Sequence, residues 1–418
     1  MFKKNLTQQI LIAMLLGCVV GGILNFWVEL TAIQWLINNV LHVIGQIFVR
    51  LLSMLVVPLV FVSLVCGVAA LGDIGKLGRL GGKALLFYLA TTAVAISLAL
   101  AIATIVSPGQ GYHLEVQQLT YSASTPPTIA QTIIELVPKN PIQAMAQGQM
   151  LPLIIFSLLF GIALLMAQDL GKRFAKGFND LNEINLQIVV IVMKFAPIGV
   201  FCLISKTFAV EGFGAIKPLL DYFLVVIVTL LIHAFIVYPL LLKWLSGLDI
   251  GIFLRKMRRV QIFAFSTASS NATIPVNIEN AEKHLGVDNS VAAFTIPLGA
   301  TINMDGTAIM QGVATLFIAN VYNIDLTLVD YITVILTATL ASIGTAGVPG
   351  VGLVMLAMVL KQVGLPVEGI ALIIGIDRLL DMLRTAVNVT GDAVATVILA
   401  KSEGALDQQI YNDNRLTP

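Results

Sequence analysis

Long apolar runs constrain the fold of this chain more than any other feature of its sequence. Runs long enough to cross a bilayer begin near Ile10, Ile33, Ala84, Met150, Leu186 and Leu219. A helix of about 20 mostly apolar residues spans the hydrocarbon core of a membrane. The composition agrees, since 58% of the 418 residues are hydrophobic and only 11% are charged, which excludes a soluble globule with a polar surface. The sequence therefore predicts an all-α polytopic membrane protein embedded in a lipid bilayer.

Residues that often signal other classes of protein do not do so here. The three cysteines lie inside apolar runs, where thiols behave as small hydrophobic groups, so we predict no disulfide framework or metal cluster. The four histidines are too scattered for a metal motif, and we interpret them as structural. Nucleic acid is not an expected partner of so apolar a chain. The run from Ile10 to Trp27 has nearly the length of a span and no cleavage site follows it, so we interpret it as the first transmembrane helix rather than a secretory signal.

The distribution of lysine and arginine predicts the orientation in the membrane. With the N-terminus in the cytoplasm, most basic residues near span ends fall on the cytoplasmic side, from Lys3 to Lys401. The external side then carries only Lys139, Lys206, Lys217 and Lys361. Cytoplasmic loops of membrane proteins are enriched in these residues. We therefore expect both termini in the cytoplasm and the polar stretch 108–149 outside.

Two apolar segments in the second half of the chain are interrupted near their middle. The interruptions are "STASSNATIP" (266–275) and "SIGTAGVPGVG" (342–352). Non-helical backbone at membrane depth survives only where it is buried in protein or lines a cavity, so we predict two re-entrant hairpins. Small residues also allow close packing of membrane helices, and for either segment alone the two interpretations are balanced.

Between the two interruptions stands a single carboxylate. Asp305 is the only charged residue between Asp288 and Asp325. A charge at mid-membrane depth costs about 2.5–3.5 kcal/mol on insertion scales. Broken segments in the two halves of a chain are typical of the binding site of a transporter. Their position around Asp305 therefore favours a binding site over simple packing.

The last apolar run, residues 376–400, carries five ionisable side chains: Asp377, Arg378, Asp381, Arg384 and Asp392. Helical spacing places Asp381, Arg384, Asn388 and Asp392 on one stripe. Some of these charges could neutralise one another, and Asp377 with Arg378 or Asp381 with Arg384 are the candidate pairs. Three carboxylates against two arginines still leave a negative charge, which predicts a bound cation with oxygen ligands.

Arg384 and Asp381 together predict the chemistry of the substrate. The planar guanidinium of Arg384 matches a carboxylate with two parallel hydrogen bonds. The carboxylate of Asp381, one turn earlier, can accept the ammonium group of an amino acid. These two residues favour an acidic amino acid as the ligand.

Four motifs carry a resemblance to a known family: "STASSNATIP", "LGATINMDGT", "ASIGTAGVPG" and "LDMLRTAVNVTGD". The chain resembles the dicarboxylate/amino acid:cation symporters, the bacterial and archaeal relatives of animal glutamate transporters. The resemblance covers nearly the whole chain. It implies eight transmembrane helices, two re-entrant helical hairpins, inverted repeats and a homotrimer in the cell inner membrane. Each protomer would move a transport domain past a fixed scaffold in an elevator mechanism.

The resemblance also implies the domain boundaries. Residues 1–75, with the first two spans, would belong to the scaffold, and residues 76–107, with the third span, to the transport domain. Residues 108–212 would return to the scaffold with the external loop and spans four and five. Residues 213–418 would complete the transport domain with span six, both hairpins, spans seven and eight and the cytoplasmic tail.

The resemblance implies a role for each residue of the substrate site. Arg384 would bind the side-chain carboxylate of the substrate and Asp381 its amino group. The remaining contacts would come from the first hairpin tip, the seventh span, the second hairpin and the last helix. They are Ala268, Ser269, Ser270, Thr307, Val348, Gly352, Thr385 and Asn388.

Three sodium sites are implied in the same way, with the ions co-transported. One resembles Asp392 with the carbonyls of Gly299, Asn303 and Asn388. Another resembles Asp305 and Asn303 with Tyr88, Thr91 and Thr92. The last would form as the second hairpin closes, from Thr301, Met304, Ser342, Ile343 and Thr345.

Differences within the family narrow the prediction. Members for C4-dicarboxylates lack a carboxylate at the position of Asp381, and members for neutral amino acids lack the arginine at Arg384. Proton-coupled bacterial carriers tend to have Asn where Asp392 stands, which favours sodium. Gln311 replaces the proton-carrying Glu of the animal branch, and Ala268 and Asn271 depart from the usual serine-rich tip. The sequence thus predicts sodium-coupled symport of L-aspartate or L-glutamate.

Other functions stay open as alternatives. A proton-coupled glutamate carrier or a C4-dicarboxylate symporter of the same family is the nearest of them. An intramembrane hydrolase using Asp305 or Ser270 is remote, because no base or second carboxylate with a recognised context accompanies either residue. A passive channel fits two gates around one midplane site less well than alternating access does. We therefore predict a transporter and no enzyme activity.

Overall fold

A computed structural model describes residues 6–69, 76–111, 134, 137–212, 216–343, 345, 347 and 350–413. Regular structure in these ranges is helical apart from one isolated antiparallel bridge between Val287 and Leu406. The prediction of an all-α chain is therefore confirmed. Most of the predicted external loop lies outside the described residues, as does Val348 of the predicted substrate site.

The first half of the chain forms eight helices within the described ranges. They are α1 (Leu6–Asn25), α2 (Thr31–Leu36), α3 (His42–Ala69), α4 (Lys76–Val106), α5 (Pro141–Gln147), α6 (Met150–Met166), α7 (Gln168–Met193) and α8 (Ala196–Glu211). A π-helical turn over Ile37–Leu41 joins α2 to α3 without a break.

The second half is built from shorter helices and one long one. They are α9 (Ile216–Ile232), α10 (Tyr238–Ser246), α11 (Ile250–Thr267), α12 (Ser270–Lys283), α13 (Asn289–Ile302), α14 (Asp305–Val321), α15 (Leu328–Ser342), α16 (Val351–Gln362), α17 (Ile370–Ser402) and α18 (Gln408–Asn412). A π-helical segment, His233–Val237, joins α9 to α10.

Three helical stretches in the described residues are long and apolar enough to cross a membrane: Thr31–Cys66, Arg79–Val106 and Lys217–Ser246. A fourth arises if α7 and α8 form one span, although their axes differ by 49°. The span predicted near Leu186 is therefore bent, with its break at Lys194 and Phe195, just before Pro197. The runs predicted at Ile10 and Met150 form α1 and α6, whose apolar parts are shorter.

The helices pack in two groups. In the first group α1 packs along α8, and α3 packs against α6, α7 and α8. In the second group α4 packs on α14, and the long helix α17 contacts α11, α13 and α14. Helix α4 thus joins the second half of the chain. The assignment of the first group to a scaffold and the second to a transport domain stays a prediction.

The two interrupted segments form two helix pairs that turn at the predicted interruptions. In the first pair, α11 ends at Thr267, Ala268 adopts a left-handed conformation with φ of 48°, and α12 begins at Ser270. The Ser269 hydroxyl caps α12 by accepting a hydrogen bond from the Ala272 amide. In the second pair, α15 ends at Ser342 and α16 begins after Gly350.

A buried lysine fastens the end of the chain to the first helix pair. The ammonium group of Lys256, in α11, donates to the carbonyl oxygens of His284 at 2.7 Å, Ile410 at 2.9 Å and Tyr411 at 2.8 Å. All three donors of the ammonium group are therefore satisfied. The bridge between Val287 and Leu406 extends the same contact.

Candidate functional site

The site is built around a break in the membrane-embedded helix formed by α13 and α14. The backbone is extended at Asn303, and α14 starts at Asp305. Asn388 of α17 holds the break open: its side-chain oxygen accepts a hydrogen bond from the Gly306 amide at 2.7 Å. Its backbone carbonyl accepts another from Asn303 Nδ2 at 3.1 Å. Asn388 thus caps the N-terminus of α14, whose positive dipole end lies at the break.

Gly391 allows α17 to approach this break closely. A Cβ atom added there would lie 2.6 Å from Asn303 Nδ2 and would also collide with the Tyr238 hydroxyl. Any larger side chain would push α17 away from the break and from α10. The glycine thus sets the spacing of the site.

Asp305 contacts three side chains from other parts of the chain. Its Oδ1 accepts from the Thr92 hydroxyl at 2.6 Å, and its Oδ2 accepts from the Tyr238 hydroxyl at 2.8 Å. His233 Nε2 lies 3.1 Å from the same Oδ2. All four side chains are buried. The structure thus brings together Thr92 and Asp305, two members of one expected sodium site.

Sequence reasoning missed His233 and Tyr238. The sequence favours only a structural role for His233, and no motif singles out Tyr238. The available signal is that His233 is a polar side chain inside the sixth apolar run. A polar group at that depth needs a partner, and Asp305 is a carboxylate in another apolar segment. Their ring centroids lie 4.4 Å apart in an edge-on contact, which orients both groups toward Asp305.

Asp392 lies in a second buried group of oxygen atoms. Its Oδ1 accepts a hydrogen bond from Asn303 Nδ2 at 2.9 Å, and Asn303 Oδ1 is buried with no hydrogen-bond partner among the described residues. A Cβ atom added to Gly299 would lie 2.5 Å from Asp392 Oδ1 and 2.8 Å from the Tyr88 hydroxyl. Gly299 therefore leaves room beside the carboxylate. An unpaired amide oxygen next to a carboxylate fits a hard cation, which prefers oxygen ligands.

Tyr88 and Thr91 lie beside these two groups. The Thr91 hydroxyl donates to the Tyr88 carbonyl at 3.1 Å, and the Tyr88 hydroxyl donates to the Thr295 carbonyl at 3.0 Å. Within the described residues no three His, Cys, Asp or Glu side chains form a cluster suited to a metal ion. The hydroxyl, amide, carbonyl and carboxylate oxygens of these residues are ligands that hard cations prefer.

The residues of the third predicted sodium site are not linked to one another. The hydroxyls of Thr301, Ser342 and Thr345 each donate to a carbonyl near them in sequence, namely those of Leu298, Thr339 and Ala341. No hydrogen bond in the described part of the chain joins the members on α13 to those at the end of α15. A Cβ atom added to Gly347, which follows Thr345, would lie 3.0 Å from the carbonyl oxygen of Ala300, so the second turn lies close to α13, and the site itself stays a prediction.

Arg384 is fully buried between two carboxylates of its own helix. Its Nη1 lies 2.9 Å from Asp377 Oδ1, and its Nη2 donates to Asp381 Oδ1 at 2.8 Å. Arg378 contacts the other oxygen of Asp381 at 3.4 Å. Of the two pairs considered from sequence, Asp381 with Arg384 is present, and Asp377 forms an ion pair with Arg384 as well. The i,i+7 spacing of Asp377 and Arg384 explains this second ion pair, because these residues lie two turns apart on one face.

Other predicted substrate residues surround Arg384. A Cβ atom added to Gly352, at the start of α16, would lie 3.3 Å from Arg384 Nη2 and 3.3 Å from Thr307 Cγ2. Thr385 is buried and donates to the Asp381 carbonyl at 2.8 Å. The second helix pair therefore lies directly against the guanidinium group.

The turns of the two helix pairs touch each other. The Ser269 hydroxyl donates to the Gly347 carbonyl at 2.7 Å, and the Asn271 amide donates to the same oxygen at 3.2 Å. A Cβ atom added to Gly347 would lie 2.9 Å from Ser270 Cβ. Asn271, which departs from the serine-rich pattern, thus contacts the opposite turn.

Broken helices converging on buried carboxylates and a buried arginine define a class: a multi-pass secondary transporter with its carrier site inside the helix bundle. The chain belongs to the sodium:dicarboxylate symporter family, whose model matches residues 6–402. This result confirms the predicted family. Because the family consists of transporters, it also fits the prediction that the chain is not an enzyme.

Three relatives show the range of chemistry among similar proteins. The chain is 39% identical to the proton/glutamate-aspartate symporter of Escherichia coli (strain K12), over 97% of this chain and 95% of the relative. It is 38% identical to the proton/sodium-glutamate symport protein of Bacillus caldotenax, over 98% and 97%. It is 32% identical to the C4-dicarboxylate transport protein of Bacillus subtilis (strain 168), over 97% and 95%.

Proposed function

We propose that this protein is a sodium-coupled symporter that carries L-aspartate or L-glutamate into the cell. The observation that carries the proposal is the buried guanidinium of Arg384, shared between Asp377 and Asp381. With Arg378 beside them, these groups form a cluster with two positive and two negative charges. An acidic amino acid adds two carboxylates and one ammonium group, and the cluster offers a partner to each kind of charge.

The substrate would exchange partners with Arg384. Its side-chain carboxylate takes the place of one aspartate on the guanidinium, whose Nε has no hydrogen-bond partner in the structure. Asp381 then turns to the substrate ammonium, while Asp377 stays with Arg384. The main-chain carboxylate lies between the N-terminus of α14 and the first turn. There Asn388, Thr307, Thr385 and Gly352 complete the pocket with Ala268, Ser269, Ser270 and Val348.

Sodium supplies the charge that the substrate lacks. Bound aspartate brings a net negative charge into a site that already holds Asp305 and Asp392. Of the three expected sodium sites, the one formed by Asp392, Asn303, Gly299 and Asn388 is best supported, because Asn303 Oδ1 lacks a donor beside the carboxylate. The relative from Bacillus caldotenax is named for both proton and sodium coupling.

Proton coupling is the second candidate. The relative from Escherichia coli is named as a proton symporter. In addition, the Asp305 oxygens already contact Thr92, Tyr238 and His233, so this group has fewer free lone pairs for a cation than Asp392 has. A C4-dicarboxylate symporter is less well supported, because its substrate has no amine and Asp381 would then have no group of the substrate to bind.

The remaining features of the proposal follow the resemblance. The protein would lie in the cell inner membrane as a homotrimer with both termini in the cytoplasm. The first helix group would be the fixed scaffold, and the second would carry the substrate across in an elevator movement. The contacting turns at Ser269 and Gly347 would then separate the substrate from solvent.

Uptake into proteoliposomes tests the proposal. We expect L-aspartate or L-glutamate to accumulate under an inward sodium gradient and succinate to compete poorly. A pH gradient without sodium should drive little uptake. Accumulation that is unchanged without sodium and follows the pH gradient would replace sodium by proton coupling. Transport of succinate in preference to both amino acids would refute the substrate assignment.

A further inference from the structure

An apolar groove lies on the outside of the second helix group, away from the substrate site. It has a volume of about 360 Å³, within the range of small-ligand sites. Three helices form it: the α9 stretch that ends in the π-helical segment, α11 and α17. Each presents residues at helical spacing, such as Arg258, Ile262 and Phe265 on α11. The groove therefore lies between the faces of three helices.

The open side of the groove carries large apolar side chains. Leu231 is 46% exposed, Phe235 54% and Ile262 68%. The main packing partners of α9 and α11 belong to the second helix group, so the first group leaves this side uncovered. An apolar face of this kind on a membrane protein contacts lipid chains.

Of the described residues that line the groove, Arg258 is the one that is ionisable. Among the described residues no carboxylate lies within ion-pair distance of it. A hydrogen bond of 3.0 Å from Gln261 Nε2 to the Thr390 hydroxyl lies near it in the groove wall. Helix α11 runs from Ile250, which we call its base, to the turn at Ala268. Arg258 therefore lies nearer the base of α11 than Phe265 does. One end of the groove is thus cationic and polar, and the rest is apolar.

We propose that the groove binds an anionic glycerophospholipid of the cytoplasmic leaflet, with its phosphate on Arg258 and one acyl chain along Ile262 and Phe265. A guanidinium group holds phosphate oxygens with two hydrogen bonds. Basic pockets between membrane helices on the cytoplasmic side bind anionic head groups. The proposal uses the orientation proposed above, in which the base of α11 is cytoplasmic, but it does not depend on the substrate or the coupling ion.

The position of the groove gives the lipid a route to the carrier site. Leu383, Ala386 and Val387 line it from α17, and they alternate along that helix with Arg384 and Asn388, which face the site. A bound acyl chain therefore packs against the helix that carries the substrate residues. Its presence stabilises the packing of α11 on α17.

Native mass spectrometry of the delipidated protein tests the proposal, with phosphatidylglycerol and phosphatidylcholine as probes. We expect phosphatidylglycerol, with a net charge of −1, to be retained about tenfold better than zwitterionic phosphatidylcholine, a difference of about 1.4 kcal/mol, because the choline cation offsets the phosphate charge that attracts Arg258. Arg258→Gln should remove this preference. Arg259→Gln, which changes a neighbouring arginine outside the groove, should keep it. Ala386→Phe should fill the groove and reduce the retention of both lipids, while the Tm confirms that the variant is folded.

Two results would overturn the proposal. Equal retention of the two lipids by the wild-type protein would show that Arg258 does not select an anionic head group. A preference that survives in Arg258→Gln and in Ala386→Phe would place the lipid elsewhere. Neither result would bear on sodium-driven uptake, so the lipid site and the proposed transport function can fail separately.

Discussion

At the scale of single residues, the site depends on how Arg384 divides its donors. In the structure both ends of the guanidinium group face aspartates of the same helix. This arrangement compensates the buried charge of Arg384, since an isolated buried ion is very costly. In the function proposed above, a substrate carboxylate replaces one of these two contacts. Selectivity therefore rests on which aspartate gives way.

Replacing Arg384 by cysteine should abolish binding of acidic substrates. Truncating one partner of a buried charged contact costs about 2–5 kcal/mol, which lowers affinity by about 30-fold or more. Isothermal titration with L-aspartate measures the effect. Arg259→Cys, at a basic position outside the site, is the control and should bind as the wild type does. Aspartate affinity retained in Arg384→Cys would contradict the role given to this residue.

Replacing Asp381 by asparagine should shift the preference from amino acids to dicarboxylates. The variant loses the partner of the substrate ammonium and frees one donor of Arg384 for a second carboxylate. We expect weaker L-aspartate binding and stronger succinate binding in the same titration. Equal losses for both ligands would mean that Asp381 only positions Arg384.

At the scale of helices, close approaches decide where the site residues lie. Residue spacing alone was enough to predict the stripe on α17 and the turns of both helix pairs, because these features depend on local periodicity. The contacts of Asp305 with His233 and Tyr238 could not be predicted, because they join residues far apart in the chain. The approach of α17 to α10 at Gly391 likewise depends on tertiary packing, and a glycine in a membrane helix does not by itself reveal its neighbour.

Gly391→Ala should destabilise the protein and weaken the break between α13 and α14. The added methyl group meets Tyr238 and Asn303, and such overpacking costs about 1–3 kcal/mol. The Tm in detergent and the sodium dependence of substrate binding should both change. Gly177→Ala is the matched control, because a Cβ atom there has no neighbour within 4 Å. It should leave the Tm unchanged or raise it, since alanine favours helices more than glycine does.

Glu403, just after the end of α17, forms pH-sensitive ion pairs with two basic residues of α4. Its carboxylate accepts from Arg79 Nη2 at 2.5 Å and from Lys83 Nζ at 2.6 Å, which ties the start of α4 to the end of α17. The hydrogen bond from Lys83, together with that from Arg79, lowers the pKa of the Glu403 carboxyl below its usual 4.5. The contact therefore contributes fully above about pH 4.5 and is lost as the pH falls through the lowered pKa.

Glu403→Gln should reduce the Tm slightly at pH 7, and the difference from the wild type should shrink at acid pH. Differential scanning fluorimetry across this range measures both. Asp169→Asn is the control, since Asp169 is almost fully exposed and lies 3.6 Å from Lys172. A difference that stays constant down to about pH 3, below the usual range of the carboxyl pKa, would show that the ion pair is not its source.

At the scale of the whole molecule, the contact between the two helix groups must break if the elevator proposal is correct. Gly375 of the second group lies against the first: a Cβ atom there would be 3.1 Å from Met14 Cγ and 3.3 Å from Ile204 Cδ1. A cysteine at Met14 would place its sulfur near that Cγ position. The distance suits a disulfide to a cysteine at residue 375.

A disulfide between Met14→Cys and Gly375→Cys should stop uptake in a background without Cys18, Cys66 and Cys202, and reduction should restore it. The control pair, Ala99→Cys with Gly312→Cys, lies within the second group, where a Cβ atom added to Gly312 would be 3.1 Å from Ala99 Cβ. Oxidation of that pair should leave uptake intact. Full transport by the oxidised Met14–Gly375 variant would exclude relative movement of the two groups.

The three hydrogen bonds from Lys256 have a practical consequence for watching such movement. They hold Ile410 and Tyr411 on the base of α11, so these residues share whatever displacement the first helix pair undergoes. A fluorescent dye attached at Asn412 would then move together with the carrier site without contacting it. With a second dye on α8, each movement of the carrier site would change the distance between the two dyes, which can be measured in single molecules.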